Sequence, residues 1–188
     1  GGTREWIYRQ YDQRVGAATA RDCAEPVGVV RLTQSGRALG VVLGCRPHMM
    51  RLDAFWGGRD SIAHPALQLA VQGFEPLAVT DCLNFGNPER KETMSQFVAA
   101  LDGMNEFCRE LQAPIISGNV SFYNETKNKN VSPTPSTGLI GLRESIQRIP
   151  RAQFNKAGLE IYTLRWGNSW TNGLLAEMRG LAPQAYLN

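Results

Sequence analysis

Residues 76–121 read PLAVTDCLNFGNPERKETMSQFVAALDGMNEFCRELQAPIISGNVS, and this stretch decides the fold. Pro76 to Thr80 is a compact apolar run of strand length. Met94, Phe97, Val98, Leu101, Met104, Phe107, Cys108 and Leu111 then recur at three- and four-residue spacing, which predicts an amphipathic helix of about five turns. Pro114-Ile115-Ile116 is a second buried strand. Strand, helix and strand in that order predict a right-handed crossover between parallel strands. The Met and Phe stripe of the helix is assigned to the core rather than to a cofactor wall, because core contact is the commoner use of such a face.

Working outward, Val27 to Leu32 and Ala38 to Leu43 are β-branched and leucine runs joined through Ser35-Gly36, which predicts a hairpin within one sheet. Gly57-Gly58 reads as a break. Beyond it Ile62, Leu67, Leu69 and Val71 fall on a helix ending at Gly73, with Pro65 in the first turn, where its missing N–H has no partner to lose. Asn124 to Asn130 is all polar and predicts an exposed loop with a mobile tip. Thr137 to Leu142 is the next strand. From Glu144 the chain is charged and irregular up to Lys156, followed by the strand-like Ile161 to Leu164 and a helical pattern around Leu174 to Met178. The whole predicts an α/β chain of the α+β kind, a mixed sheet packed by helices. One domain covers residues 1–143, and residues 144–188 begin a second.

The 188 residues are 43% hydrophobic and 20% charged, the composition of a packed globular protein rather than a disordered one. Twenty basic residues against 17 acidic ones give a formal charge of +3. No basic run tracks a phosphate backbone, so nucleic acid is not an expected partner. Cys23, Cys45, Cys82 and Cys108 are widely spaced, with no Cys-x-x-Cys pair and no histidine cluster to complete a zinc site, and are read as free thiols. No apolar stretch approaches the roughly 20 residues that span a bilayer, and the first residues lack signal-peptide architecture. The expectation is a cytoplasmic protein with no membrane partner.

Two polar loops fall at the C-terminal ends of apolar strands, where open α/β sheets place ligands. The first offers Asp81, Asn84 and Asn87, and the second Ser117, Asn119 and Ser121 beside Gly118. A carboxylate with amide oxygens suits Mg²⁺, whereas serine hydroxyls and backbone N–H groups next to a glycine suit a phosphate. The same residue types also cap helices and close turns, a role that fits Asn87-Pro88 well. His48 and His64 are isolated. Cys82, beside Asp81, lacks a base or cation to activate it. No Walker or dinucleotide fingerprint is present, so a nucleotide site here must be of another kind.

Three longer stretches carry a family resemblance. Residues 78–88 from Ala78 to Pro88, residues 117–126 from Ser117 to Thr126 with Pro133-Thr134-Pro135 beyond them, and Trp6 to Asp12 resemble the synthetase subunit of phosphoribosylformylglycinamidine synthase. The match runs over about residues 5–143. That family has two homologous halves, each with two α/β domains, and the N-terminal sheets of the halves pair into a barrel-like core. The resemblance implies the second N-terminal domain, with the aminoimidazole ribonucleotide synthetase-like fold, and the start of its companion. The implied reaction joins formylglycinamide ribonucleotide with ammonia drawn from glutamine by a glutaminase, using ATP and Mg²⁺, to give the amidine in purine biosynthesis. Carried over by position, Asp81 and Gly118 would touch ATP, Asn119 would ligate Mg²⁺ and Ser121 would contact the ribonucleotide. No catalytic residue falls in this piece. The implied site is composite, its partners are the other half of the synthetase and the glutaminase, and the piece alone is expected to be inactive and to self-associate through its open sheet.

The sequence also departs from the family pattern. Ala24 to Gly28 replaces a Gly-Asp-Ala-Ala stretch, Arg46-Pro47 an Asn-Pro, His64-Pro65 a Glu-Ala, and Gly158-Leu159 a Gly-Asp. These changes remove anionic ligands from this half's own pseudo-symmetric nucleotide site. Two other readings stand beside the first: another ATPase of the superfamily, such as an aminoimidazole ribonucleotide synthetase-like or selenophosphate synthetase-like enzyme, or a non-catalytic nucleotide-binding or assembly domain of the same fold.

Overall fold

A computed structural model describes Thr3, residues 5–154 and residues 156–162. A short helix α1 (Glu5–Tyr8) and a 3-10 turn (Val15–Ala17) lead into β1 (Thr19–Arg21) and the predicted hairpin β2 (Gly28–Leu32) and β3 (Arg37–Gly44). Helices α2 (Pro47–Leu52) and α3 (Ala54–Ala70) follow, then β4 (Glu75–Asn84), α4 (Lys91–Leu111) and β5 (Ile115–Ser121). A small hairpin β6 (Glu125–Thr126) and β7 (Lys129–Asn130) precedes β8 (Thr134–Arg143). The principal sheet has the order β1-β2-β3-β8-β4-β5. Its neighbours are antiparallel except β4 and β5, the parallel pair that α4 connects. The mixed sheet and the β4-α4-β5 crossover are those read from the sequence. Ile161 and Tyr162 have no regular structure. The remainder of the predicted strand to Leu164, and the helical pattern around Leu174 to Met178, lie outside the described residues.

Alternation along the strands buries one sheet face and leaves the other open. Ala38 and Val42 of β3, Val79 and Leu83 of β4 and Leu139 of β8 join Ile62, Leu69, Ala100 and Met104 of α3 and α4 in the core. Val41 and Leu43 point the other way and are 40% and 82% exposed.

Helix α3 corrects two expectations. It begins at Ala54, with Asp53 as N-cap accepting the Trp56 N–H at 3.0 Å, so Gly57-Gly58 lies inside the helix and Pro65 in its interior rather than its first turn. The glycines serve close packing: a Cβ at Gly58 would run into the Ala100 backbone, and one at Gly103 into the Phe55 carbonyl, so α3 and α4 approach backbone to backbone. Pro65 has no N–H for the Ser61 carbonyl one turn earlier. The buried Thr137 hydroxyl of β8 reaches that oxygen at 2.5 Å and replaces the missing donor.

After β8 the chain returns across the domain. Arg21 donates to the carbonyls of Ile149 at 2.5 Å and Pro150 at 2.7 Å, and Arg143 donates to those of Ser145 at 2.9 Å and Gln72 at 2.8 Å. Ile149 is buried in the core.

Candidate functional site

Asp81 to Asn84 and Ser117 to Ser121 are not loops, as the sequence suggested, but the C-terminal halves of β4 and β5, whereas Asn87 does lie in the turn that follows β4. Polar side chains here sit in a strand because the backbone of β4 is paired on both sides, with β8 and with β5. The register sets Asp81 beside Gly118, Cys82 beside Asn119 and Asn84 beside Ser121. Just before these pairs Val79 faces Ile115 while Thr80 faces Ser117, so Ile116 is the extra residue of a bulge. The four residues assigned from the resemblance, Asp81, Gly118, Asn119 and Ser121, therefore lie along one strand pair at the edge of the sheet.

They do not share a face. Asp81 alternates with Val79 and Leu83, both in the core, and points to the helix-bearing side, where burial first and then the Asp81 charge raise the pKa of Cys108 on α4. Burial pushes the Asp81 carboxyl above the usual aspartate range, and a hydrogen bond from the Asn119 backbone N–H works against that shift. Gly118 is adjacent on the same side: a Cβ there would run into Asp81 Oδ1, so only glycine leaves the carboxyl its place. Asn119 and Ser121 alternate to the open face, on the side of Cys82 and Asn84. Asn119 is exposed on an edge strand rather than in a solvent-facing loop.

The ends of the two strands are tied together. Phe85, Phe97 and Phe122 meet at ring-centroid distances of 5.1 to 6.4 Å, fixing the chain just beyond β4 and β5 against α4. Asn124 Nδ2 donates to the carbonyls of Phe85 and Ser121, each at 2.9 Å, and lies 3.1 Å from Ser121 Oγ. Asn130 accepts the Asn87 N–H at 3.0 Å through its side-chain oxygen and donates to Thr93 Oγ1 at 3.0 Å. The sequence reading, an exposed polar loop, missed both residues. The segment closes as a hairpin with positive φ at Lys127 and Asn128, and its two terminal asparagines face inward. An Asn three positions after a Ser at a strand end is the signal that could have found Asn124.

The remaining candidates separate. Asn87 is a turn residue: its Oδ1 accepts the Glu89 N–H at 2.9 Å, and the N-cap of α4 is Arg90, three residues further on. Asn84 Nδ2 spends its hydrogen bonds on the Cys82 carbonyl at 2.9 Å and more weakly on that of Thr134 at 3.4 Å. His48 lies in α2 and His64 in α3, neither on the strand pair. Two of the sequence departures meet in space: Arg46 forms a two-pronged pair with Asp60, and burial followed by the Arg46 cation lowers the His64 pKa. Among the described residues no group of three or more His, Cys, Asp or Glu side chains could hold a metal ion, and no helix is long and apolar enough to cross a membrane.

Residues 25–143 match the family described as AIR synthase related protein, N-terminal domain. The fold is similar to PurLQS from Thermotoga maritima, with 27% identity, TM-score 0.69, and 76% of this chain and 24% of that one covered. It is similar to phosphoribosylformylglycinamidine synthase II from T. maritima, with 27% identity, TM-score 0.64 and coverage of 73% and 23%. T. maritima PurL solved with ATP and with FGAR matches at 25% and 26% identity, each with TM-score 0.65 and coverage of 75% and 23%. The chain thus spans about a quarter of the length of these proteins.

Proposed function

The chain belongs to the AIR synthase related protein family, whose N-terminal domain it carries, and we propose that it is one piece of the synthetase of phosphoribosylformylglycinamidine synthase. In that role it serves an ATP-dependent carbon–nitrogen ligase of the cytoplasm, which converts formylglycinamide ribonucleotide and glutamine-derived ammonia to the amidine. Residues 1–143 form the N-terminal-like domain and residues 144–188 open its companion. The other half of the synthetase and a glutaminase are its partners. The reading is supported by the register: two of the three stretches quoted for the resemblance, far apart in sequence, are hydrogen-bonded neighbours along one parallel pair.

Each residue's part follows from where it stands. Asp81 offers a half-buried carboxyl as acceptor for the nucleotide, and Gly118, without a side chain, lets backbone and ligand come close. Ser121 offers a hydroxyl to the ribonucleotide from the open face. Because β5 is the sheet edge, ligands held on its two sides can meet around it. ATP supplies the phosphoryl group that activates the formamide oxygen. Mg²⁺ fits only in part: Asn119 can lend one amide oxygen, but Mg²⁺ is ordinarily held by one or two carboxylates with phosphates and water. The one carboxylate among the four assigned residues, Asp81, faces the other way. The remaining ligands must come from the nucleotide and the other half, which makes the site composite and this piece inactive alone.

The test is Ser121→Ala in the complete enzyme. A hydrogen bond to a charged group contributes about 1.5–3 kcal/mol, so kcat/KM for the ribonucleotide should fall by roughly one to two powers of ten. The KM for ATP should hold. Equal effects on both substrates, or none, would make Ser121 a strand-end residue and remove the substrate assignment.

A further inference from the structure

We propose that Asn124 is a positioning residue that sets the hydroxyl of Ser121 as an outward-facing donor, so that the ligand group it meets is a hydrogen-bond acceptor such as a phosphate oxygen. This rests on the reading of Ser121 given above. The orientation of the amide is fixed by chemistry, since the carbonyls of Phe85 and Ser121 at 2.9 Å can only accept and therefore face Nδ2. One N–H is spent on Phe85, at the end of β4. The other is shared between the carbonyl of Ser121 and its Oγ, 3.1 Å away. The serine oxygen thus receives a proton from behind, and its own proton must point elsewhere.

With no ligand that proton has, among the described residues, one acceptor at hand, Asn124 Oδ1 at 3.3 Å. That is longer than the 2.5–3.0 Å of a good O–H···O bond. Rotation about the Cβ–Oγ bond carries the proton to an anion on the open face while the Nδ2 contact remains. Asn124 is placed for this because Tyr123, at φ 59°, turns the chain back over the strand end. A ligand that had to donate to Ser121 would find one of the two lone pairs of the hydroxyl oxygen already in use.

The experiment uses the complete enzyme and three changes: Ser121→Ala, Asn124→Asp and the pair together. Asn124→Asp keeps the shape but turns both positions into acceptors, so the serine proton is captured inward. The expected result is a rise of about tenfold in KM for the ribonucleotide, equivalent to about 1.4 kcal/mol. KM for ATP should be unchanged, and Asn124→Asp should add nothing further once Ser121 is alanine. Asn124→Ala, which places no charge at the strand ends, is read alongside in case the aspartate variant fails to fold; it should give a smaller rise on the same substrate. If Ser121→Ala leaves the ribonucleotide KM untouched, the assignment of Ser121 fails and this inference with it. If Ser121→Ala acts but the Asn124 changes affect both substrates alike, or add in full to it, Asn124 only closes the strands and the inference alone is overturned.

Discussion

Replacing Thr137 by valine tests how the sheet tolerates a proline inside its covering helix. Thr137 is 1% exposed and Ser61 3%, so water cannot take over when the hydroxyl is removed. Valine nearly matches threonine in volume, and the change deletes the 2.5 Å bond to the Ser61 carbonyl together with the longer 3.2 Å contact to that of Gly44. The Ser61 oxygen has no helical donor because the residue one turn on is Pro65. Leaving such a group buried and unpaired costs about 1–3 kcal/mol. For a chain of this size a loss of about 2 kcal/mol lowers Tm by about 4–8 °C. The decisive comparison is the same substitution in a Pro65→Ala background, where the restored amide can satisfy Ser61 and the threonine becomes dispensable. Thermal and urea denaturation of the four variants should therefore show Thr137→Val costing about 1 kcal/mol less once the proline is gone. An equal cost in both backgrounds would refute the exchange of donors between strand and helix.

Asp81 predicts a trade between stability and activity. Its folded pKa is raised by burial, so between the unfolded and folded values the native state holds more protons, and stability falls as pH rises through that window. Asp81→Asn should therefore stabilise the domain at neutral pH, with the advantage vanishing as pH falls below the ordinary aspartate value of about 3.9, while the complete enzyme loses affinity for ATP. A stability gap independent of pH would show that the carboxyl carries no burial penalty. The open sheet face predicts self-association of the isolated chain, and Leu43→Glu, at a position 82% exposed, should shift sedimentation toward the monomer. A compact monomer at high concentration before the substitution would count against that face as the contact.

The elements that were legible in the sequence are those whose residues state their own period. The stripe from Met94 to Leu111 has helical spacing, and α4 runs from Lys91 to Leu111. The β-branched and leucine runs on either side of Ser35-Gly36 have strand composition, and β2 and β3 pair as a hairpin. The misread elements depend on partners far along the chain. Pro65 was placed in a first turn because a helix interior lacks a substitute for its N–H, but the substitute is a hydroxyl on β8, beyond any local window. Asp81 to Asn84 read as a loop because polar residues seldom occupy a doubly flanked strand. Here β8 and β5 take the backbone groups and leave the side chains free for other work.

That last point bears on the site itself. The two polar segments offered, at the ends of separate strands, a carboxylate and amide oxygens for Mg²⁺ and serine hydroxyls for a phosphate. A strand separates neighbours, sending Asp81 to the helix side beside Gly118 and sending Asn119 and Ser121 to the open one. The division follows from geometry once the segment is a strand. It makes the edge at β5, rather than either face, the place where two ligands could meet. A change on one face should then alter one ligand's affinity and spare the other's, a separation that a single pocket could not produce.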